Sequence, residues 1–292
     1  MDSRPALLRK ASLIHSSLIP PRQVTIGDAA SFVGTTPRTI RHYHETGLLP
    51  EPERGTDDRR LYGYEDMIRL LWIHKMADAG IALDDIRDAC ADTAPAGAVS
   101  DHDVAVVPRM RTPDGKMDLL SDFVASRLEG LPEGSLRQAD LDNLLVIERI
   151  FSPLGAAVNA SRYIALTTRP GLREESDRVE AAEEALDDTI AIDDPRVAQV
   201  AAERHAFEQA LNAVIEDSGL AEADDAIFDS WDALHPAPAD EGEDEAHQDP
   251  GMGQESMSVV EAMGKMPYDY SPARLRCMEL TQELAAHEPP AS

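Results

Sequence analysis

The feature that most constrains this chain is a run of helix punctuation over residues 24–90. In TIGDAASFVG, Ile26, Ala29, Ala30 and Val33 recur at helical spacing and the run stops at Gly34. Thr36 is a good N-cap and Pro37 suits a first helical position. A second helix therefore starts there and runs to about Thr46, with Gly47 just past its end. Two short helices joined across residues 34–36 outline a helix-turn-helix. Pro50 and Pro52 then break the chain, and Arg54 and Arg59, Arg60 and Tyr62 flank a polar Gly-Thr-Asp-Asp tip. That pattern predicts a small β-hairpin, a wing. YEDMIRLLWIHKMADAG next sets Met67, Ile68, Leu71, Trp72 and Met76 on one helical face and ends at Gly80. LDDIRDAC supplies a fourth helix with Leu83, Ile86 and either Ala89 or Cys90 inward.

Charge divides the chain. Residues 1–92 hold 12 Lys/Arg against 14 Asp/Glu, a net −2, while residues 93–292 hold 15 against 41, a net −26. Yet residues 36–44 contain no carboxylate and carry Arg38, Arg41, His42 and His44. On a helix starting at Pro37, Ile40 and Tyr43 face inward with Leu48, and Arg38, Arg41, His42 and Glu45 line the opposite face. Arginine reads guanine O6 and N7 bidentately or clamps phosphate, and the Thr36 and Thr39 hydroxyls bond phosphate oxygens. Arg54, Arg59 and Arg60 of the wing are placed to straddle neighbouring backbone. An acidic surface repels nucleic acid, so a DNA contact has to be made by this local cationic patch.

Only 4% of the chain is aromatic against 42% hydrophobic, with Ala doing much of the filling, which favours helices over sheets. The expected fold class is mainly α: a winged helix-turn-helix followed by an all-helical C-terminal region. Residues 1–22 read as a flexible extension, 23–92 as the DNA-binding domain and 93–117, with Pro95, Gly97, Pro108, Pro113 and Gly115, as a linker. The acidic body is expected to be held away from the duplex, by such a linker, or to face outward from it. Helices are expected at 118–129, 136–150, 153–166, 172–191 and 195–217, within an acidic effector or dimerisation region over 118–234. Residues 235–258 read as an acidic disordered linker, and 259–292 as a C-terminal helical segment whose helix starts at Ser271 and Pro272. The paired acids Glu174 and Glu175, Glu183 and Glu184, and Asp187 and Asp188 read as solvated helix surface.

No cofactor or metal site is expected. Cys90 and Cys277 lie far apart, the nine histidines are scattered, and no nucleophile elbow, phosphate loop or zinc-protease motif occurs. There is no continuous apolar run of membrane-spanning length and no signal-peptide h-region, so a cytoplasmic, non-enzymatic protein is expected.

At these residues the sequence resembles the N-terminal domain of the MerR family of transcription regulators. The T-P-R-T-I-R-x-Y helix, the G-L-L-P turn, the R-x-Y wing and the closing G-x-x-L-x-x-I pair occur in order from Thr36 to Ile86. The resemblance implies that the helix-turn-helix reads the major groove while the wing and following helices hold the backbone. It also implies a homodimer on double-stranded promoter DNA, bound to an overlong spacer that it twists so that RNA polymerase engages both elements. By position, Thr36, Arg38, Thr39, Arg41 and Tyr43 match the recognition set, and Arg60 and Tyr62 match the wing. His42 stands where the family often has an aromatic residue, His44 where it often has Glu, and Ala82 where it tends to have a capping Ser. The long helix that usually follows directly is replaced by the Pro- and Gly-rich linker. The dimer contact is then in doubt or displaced; the Val197, Val200, Phe207, Leu211 and Val214 seam is one candidate for it, although a single helix of that type is more often ordinary domain core. For the C-terminal region three tasks stay open: a small-molecule sensor, a module touching polymerase or another regulator, and an enzyme domain without a supporting motif.

Overall fold

The computed structural model describes residues 19–56, 58–90, 110–234 and 257–287. Strand β1 (Val24–Thr25) leads into α1 (Ile26–Val33), which Thr25 caps by accepting the Asp28 N–H through its side chain. Gly34 closes α1 at φ 90°, a left-handed conformation that costs glycine little, and its N–H donates to the Ala30 carbonyl. Helix α2 (Pro37–Glu45) follows after a three-residue turn, with Thr36 accepting from the Thr39 N–H and Pro37 at the first position. Strand β2 (Leu61–Tyr62) pairs antiparallel with β1, Val24 opposite Tyr62 and Thr25 opposite Leu61. The wing itself is held by a bridge between Arg54 and Arg60 and by the Gly55 N–H on the Arg59 carbonyl. Its strand is thus tied back to the start of α1, a pairing that local sequence did not signal.

Helix α3 (Tyr64–Asp78) is the centre of the molecule. Met67, Ile68, Leu70, Leu71, Trp72, Ile73 and Met76 are all buried, more than one stripe can account for, so it packs on two sides. One side carries α1 and α4 (Leu83–Cys90); the other meets the C-terminal region. That region comprises α5 (Pro113–Met117), α6 (Asp122–Leu128), α7 (Gln138–Thr168), α8 (Pro170–Glu184), α9 (Pro195–Asp217), α10 (Leu220–Leu234), α11 (Val259–Lys265) and α12 (Pro272–Ala286). The architecture is mainly α, as the Ala and Leu periodicity implies.

The two helices expected at 136–150 and 153–166 are the arms of α7, bent at Ser152 (φ 72°, ψ 168°) in front of Pro153. Proline cannot donate into the ladder, and its ring collides with the preceding turn. Beyond the bend, a Cβ on Gly155 would stand 2.6 Å from Phe151 Cβ, so only glycine fits against that side chain without a shift. The helix expected over 172–191 stops at Glu184, because Leu186 turns in to a separate small cluster with Val197, Val200, Ala273 and Cys277. Helix α10 was not anticipated at all. Residues 235–256, expected to be disordered, and residues 1–18 lie outside the described residues.

The body is not held off from the head. One continuous core runs from Val24 and Ile86 through Leu120, Leu144 and Leu166 to Leu211 and Met266. Around its seam, Trp72 Nε1 donates to Asp142 at 2.6 Å and Lys75 pairs with buried Glu148. Arg149 donates to the Phe32 carbonyl at the end of α1, and Lys265 Nζ donates to Ser31 Oγ at 2.8 Å. Tyr268 packs at a tilt against Tyr64 with ring centroids 5.1 Å apart, while its N–H donates to the Pro21 carbonyl at 2.9 Å. The body therefore packs directly on the back of α3.

The α9 seam is also filled from within: Val197, Val200, Phe207 and Leu211 are buried inside the chain. Helix α7 is long and apolar enough to cross a membrane by length and composition, and half of that stretch is buried in the core.

Candidate nucleic-acid interface

Helix α2 presents its two faces as the sequence implies. Ile40 and Tyr43 are buried with Leu48, while Arg38, Arg41, His42 and Glu45 are exposed. Its nine residues span about 13 Å, and a helix about 10–12 Å across fits a major groove about 12 Å wide. Among the described residues no carboxylate pairs with Arg38 or Arg41; His42 sits 3.9 Å from Glu45. The Thr36 and Thr39 hydroxyls bond each other at 2.9 Å at the start of the helix, where backbone N–H groups point outward.

The wing stands beside this helix. Between them lies a cleft of about 380 Å³ lined by Arg41, Arg54, Arg59, Arg60 and Asp58, with Thr25 and Ile26 at its floor. Four arginines from two elements thus line one concavity. Arg60 and Arg54 of the wing are already engaged. Arg60 forks onto Glu51 through Nε and Nη2, both at 2.8 Å, and Arg54 Nη1 reaches Asp58 at 3.1 Å. The Arg60 hydrogen bond holds the Glu51 carboxyl below its ordinary range, with Arg60, His44 and Arg54 adding charge attraction.

Tyr43 and Tyr62 are placed differently from the other site residues. Tyr43 is 5% exposed and Tyr62 fully buried, so their rings belong to the core and not to the cationic face. Burial pushes the Tyr62 phenol up to about 12. Its oxygen lies 2.9 Å from His44 Nε2, and His44 Nδ1 lies 3.1 Å from the Leu49 carbonyl. A carbonyl only accepts, so Nδ1 carries the proton, and in the neutral ring Nε2 takes the Tyr62 O–H. His44 thereby rivets the end of α2 to β2 and sets the spacing between helix and wing. Arg87 supports the same corner by donating to the Thr46 carbonyl at 3.0 Å. Neither role was legible locally, since the partners lie 18 and 41 residues away. Glu51, likewise, reads in PEPER only as a residue between two breakers.

A helix-turn-helix with an exposed arginine face, flanked by an arginine-bearing wing, is the architecture of a winged helix-turn-helix DNA-binding domain. Comparison with known proteins agrees. Residues 24–93 match the MerR HTH family regulatory protein model. Nodulation protein NolA of Bradyrhizobium elkanii is 32% identical over 123 residues, covering 42% of this chain and 53% of that protein. The mercuric resistance operon regulatory protein of Serratia marcescens is 31% identical over 107 residues, covering 35% of this chain and 74% of that protein. The HTH-type transcriptional activator TipA of Streptomyces coelicolor is 36% identical over 70 residues, 24% of this chain and 28% of that one. The chain belongs to the MerR family. It spans about half the length of first-ranking curated relatives, 53% of the B. elkanii NolA and 46% of the Bacillus cereus mercuric regulator. No solved structure matches. Among the described residues no three potential metal ligands converge, and Cys90 and Cys277 form no disulfide; burial raises the Cys277 thiol to about 11.

Proposed function

We propose that the α2 face and the wing bind double-stranded promoter DNA together. Arg38, Arg41 and His42 enter the major groove, with Thr36 and Thr39 at the entering end of α2. Arg54, Arg59 and Arg60 lie along the neighbouring phosphates. The observation that carries this reading is the pairing of two exposed arginines on α2, without a carboxylate partner among the described residues, with the arginine-lined cleft of the wing, in a chain of net charge −28. In so acidic a protein a concentrated cationic surface has a polyanion as its natural partner. Tyr43 and Tyr62 act from behind, by holding helix and wing in register.

The reading extends to control of RNA polymerase through altered promoter geometry by two copies of the chain, which the family resemblance implies. Because the α9 seam is buried within one chain, a contact between copies is to be sought on other surfaces. The C-terminal helices then serve as a sensor for a small-molecule effector or as an interaction region for polymerase or another regulator. Their direct packing on α1 and α3 supplies a route by which an event in the body reaches the DNA-facing helices. Duplexes enriched from a randomised pool by the full chain provide the test. Arg41→Ala should weaken binding to the best of them by ~1–3 kcal/mol if Arg41 contacts a base. Unchanged affinity with intact folding would remove α2 from the interface.

A further inference from the structure

We infer that Glu51 is a built-in competitor of the DNA backbone: a carboxylate that occupies the wing arginines and so sets the protein's DNA affinity and salt dependence. The inference rests on the reading that the wing meets phosphates. Arg60 presents a fork of N–H donors, the geometry that suits a phosphate as well as a carboxylate. In the free protein that fork is closed on Glu51, through two hydrogen bonds of 2.8 Å. The same carboxylate stands 4.0 Å from Arg54, whose other edge is turned to Asp58. Arg60 and Arg54, both lining the cleft, are therefore held by anions of the chain itself. The Arg60 side chain is only 29% exposed, so its planar group has little freedom to serve a second anion while Glu51 keeps the first.

A phosphate arriving in the cleft has two courses. It displaces Glu51 from Arg60, or it binds beside a pair whose carboxylate repels it. Both oppose binding, so removal of the Glu51 charge strengthens it in either case. Arg41 and Arg38, which no carboxylate among the described residues occupies, remain ready for DNA, and the wing is the attenuated half of the surface.

The test uses the full chain carrying Glu51→Gln, which keeps length and an acceptor while removing the charge, beside wild type and Arg41→Ala. Each is titrated with the best duplex from a randomised pool and with a shuffled duplex of equal composition, across a KCl series. Glu51→Gln should bind both duplexes several-fold more tightly at low salt. Its log–log salt slope should steepen by ~0.9, the increment for one further phosphate contact. The gain should disappear when Arg60→Gln is added, because the freed fork is what makes the contact. Affinity that falls or stays level in Glu51→Gln, while wild type binds and Arg41→Ala weakens, would overturn the inference alone and assign Glu51 the opposite task of orienting Arg60. Wild type that binds neither duplex at any salt would overturn the DNA reading itself.

Discussion

Glu148 is the sharpest place to perturb the joint between the DNA-binding head and the body. It is 7% exposed on α7, with one oxygen on Lys75 of α3 and the other accepting the Ser121 N–H at 2.9 Å. Glu148→Ala strands both donors. An unsatisfied buried backbone N–H costs ~1–3 kcal/mol. The Lys75 side chain is 32% exposed, so water reaches it, and loss of its partner adds about 1 kcal/mol instead of the several expected of a fully buried charge. The sum is a destabilisation of ~2–4 kcal/mol. Glu148→Gln retains an acceptor for Ser121 and should lose about 1 kcal/mol. Urea unfolding followed by tryptophan fluorescence and by circular dichroism reads both quantities. Trp72 reports the joint and Trp231, against Phe123 at 5.3 Å, reports the body. Since one core spans both, the two probes should move together in a single transition. A loss below 1 kcal/mol for Glu148→Ala, or a head transition that stays in place while the body shifts, would refute the shared core.

Ser152 holds φ 72° and ψ 168°, a region almost reserved for glycine, so Ser152→Gly should stabilise the protein by ~1 kcal/mol in the same urea assay, strain relief of ~1–3 offset by glycine's chain entropy. Ser152→Ala, which cannot relieve it, should give no gain. Asp194 caps α9; its side-chain and backbone hydrogen bonds from Arg196 hold its carboxyl at about 2. A depressed carboxyl contributes stability that is present above about pH 4, its unfolded value, and lost as pH falls through the folded one. The urea midpoints of wild type and Asp194→Asn should therefore differ at pH 6 and converge toward pH 2; a gap independent of pH would contradict the charge effect.

Helices α1 and α2 were legible because their boundaries are written in adjacent residues: Thr36 and Pro37 open, Gly34 and Gly47 close. The bend in α7 was legible at Pro153 for the same reason. The joint was not, because its parts look ordinary one at a time. Asp142, Glu148 and Arg149 read as the polar residues of an amphipathic helix, yet each meets a partner 27 or more residues away. The paired acids show the same limit. Glu183, taken for solvated surface, is 6% exposed and forks onto Arg204, whereas Glu184 beside it faces water. Asp188 holds Arg22 at 2.7 Å across 166 residues. Of the ten site residues, the six charged ones and both threonines lie at the surface or part-way to it, while Tyr43 and Tyr62 turn inward. A tyrosine three residues after an inward Ile40 shares its face, so helical spacing alone places Tyr43 inside.

Amide hydrogen exchange of the full chain, with and without the best duplex from the randomised pool, tests the central claim most directly. Slowed exchange in peptides covering residues 36–46 and 53–62, with α8, α9 and α12 unchanged, is the predicted pattern. Protection confined to the C-terminal helices, with α2 and the wing exchanging as in the free protein, would contradict it.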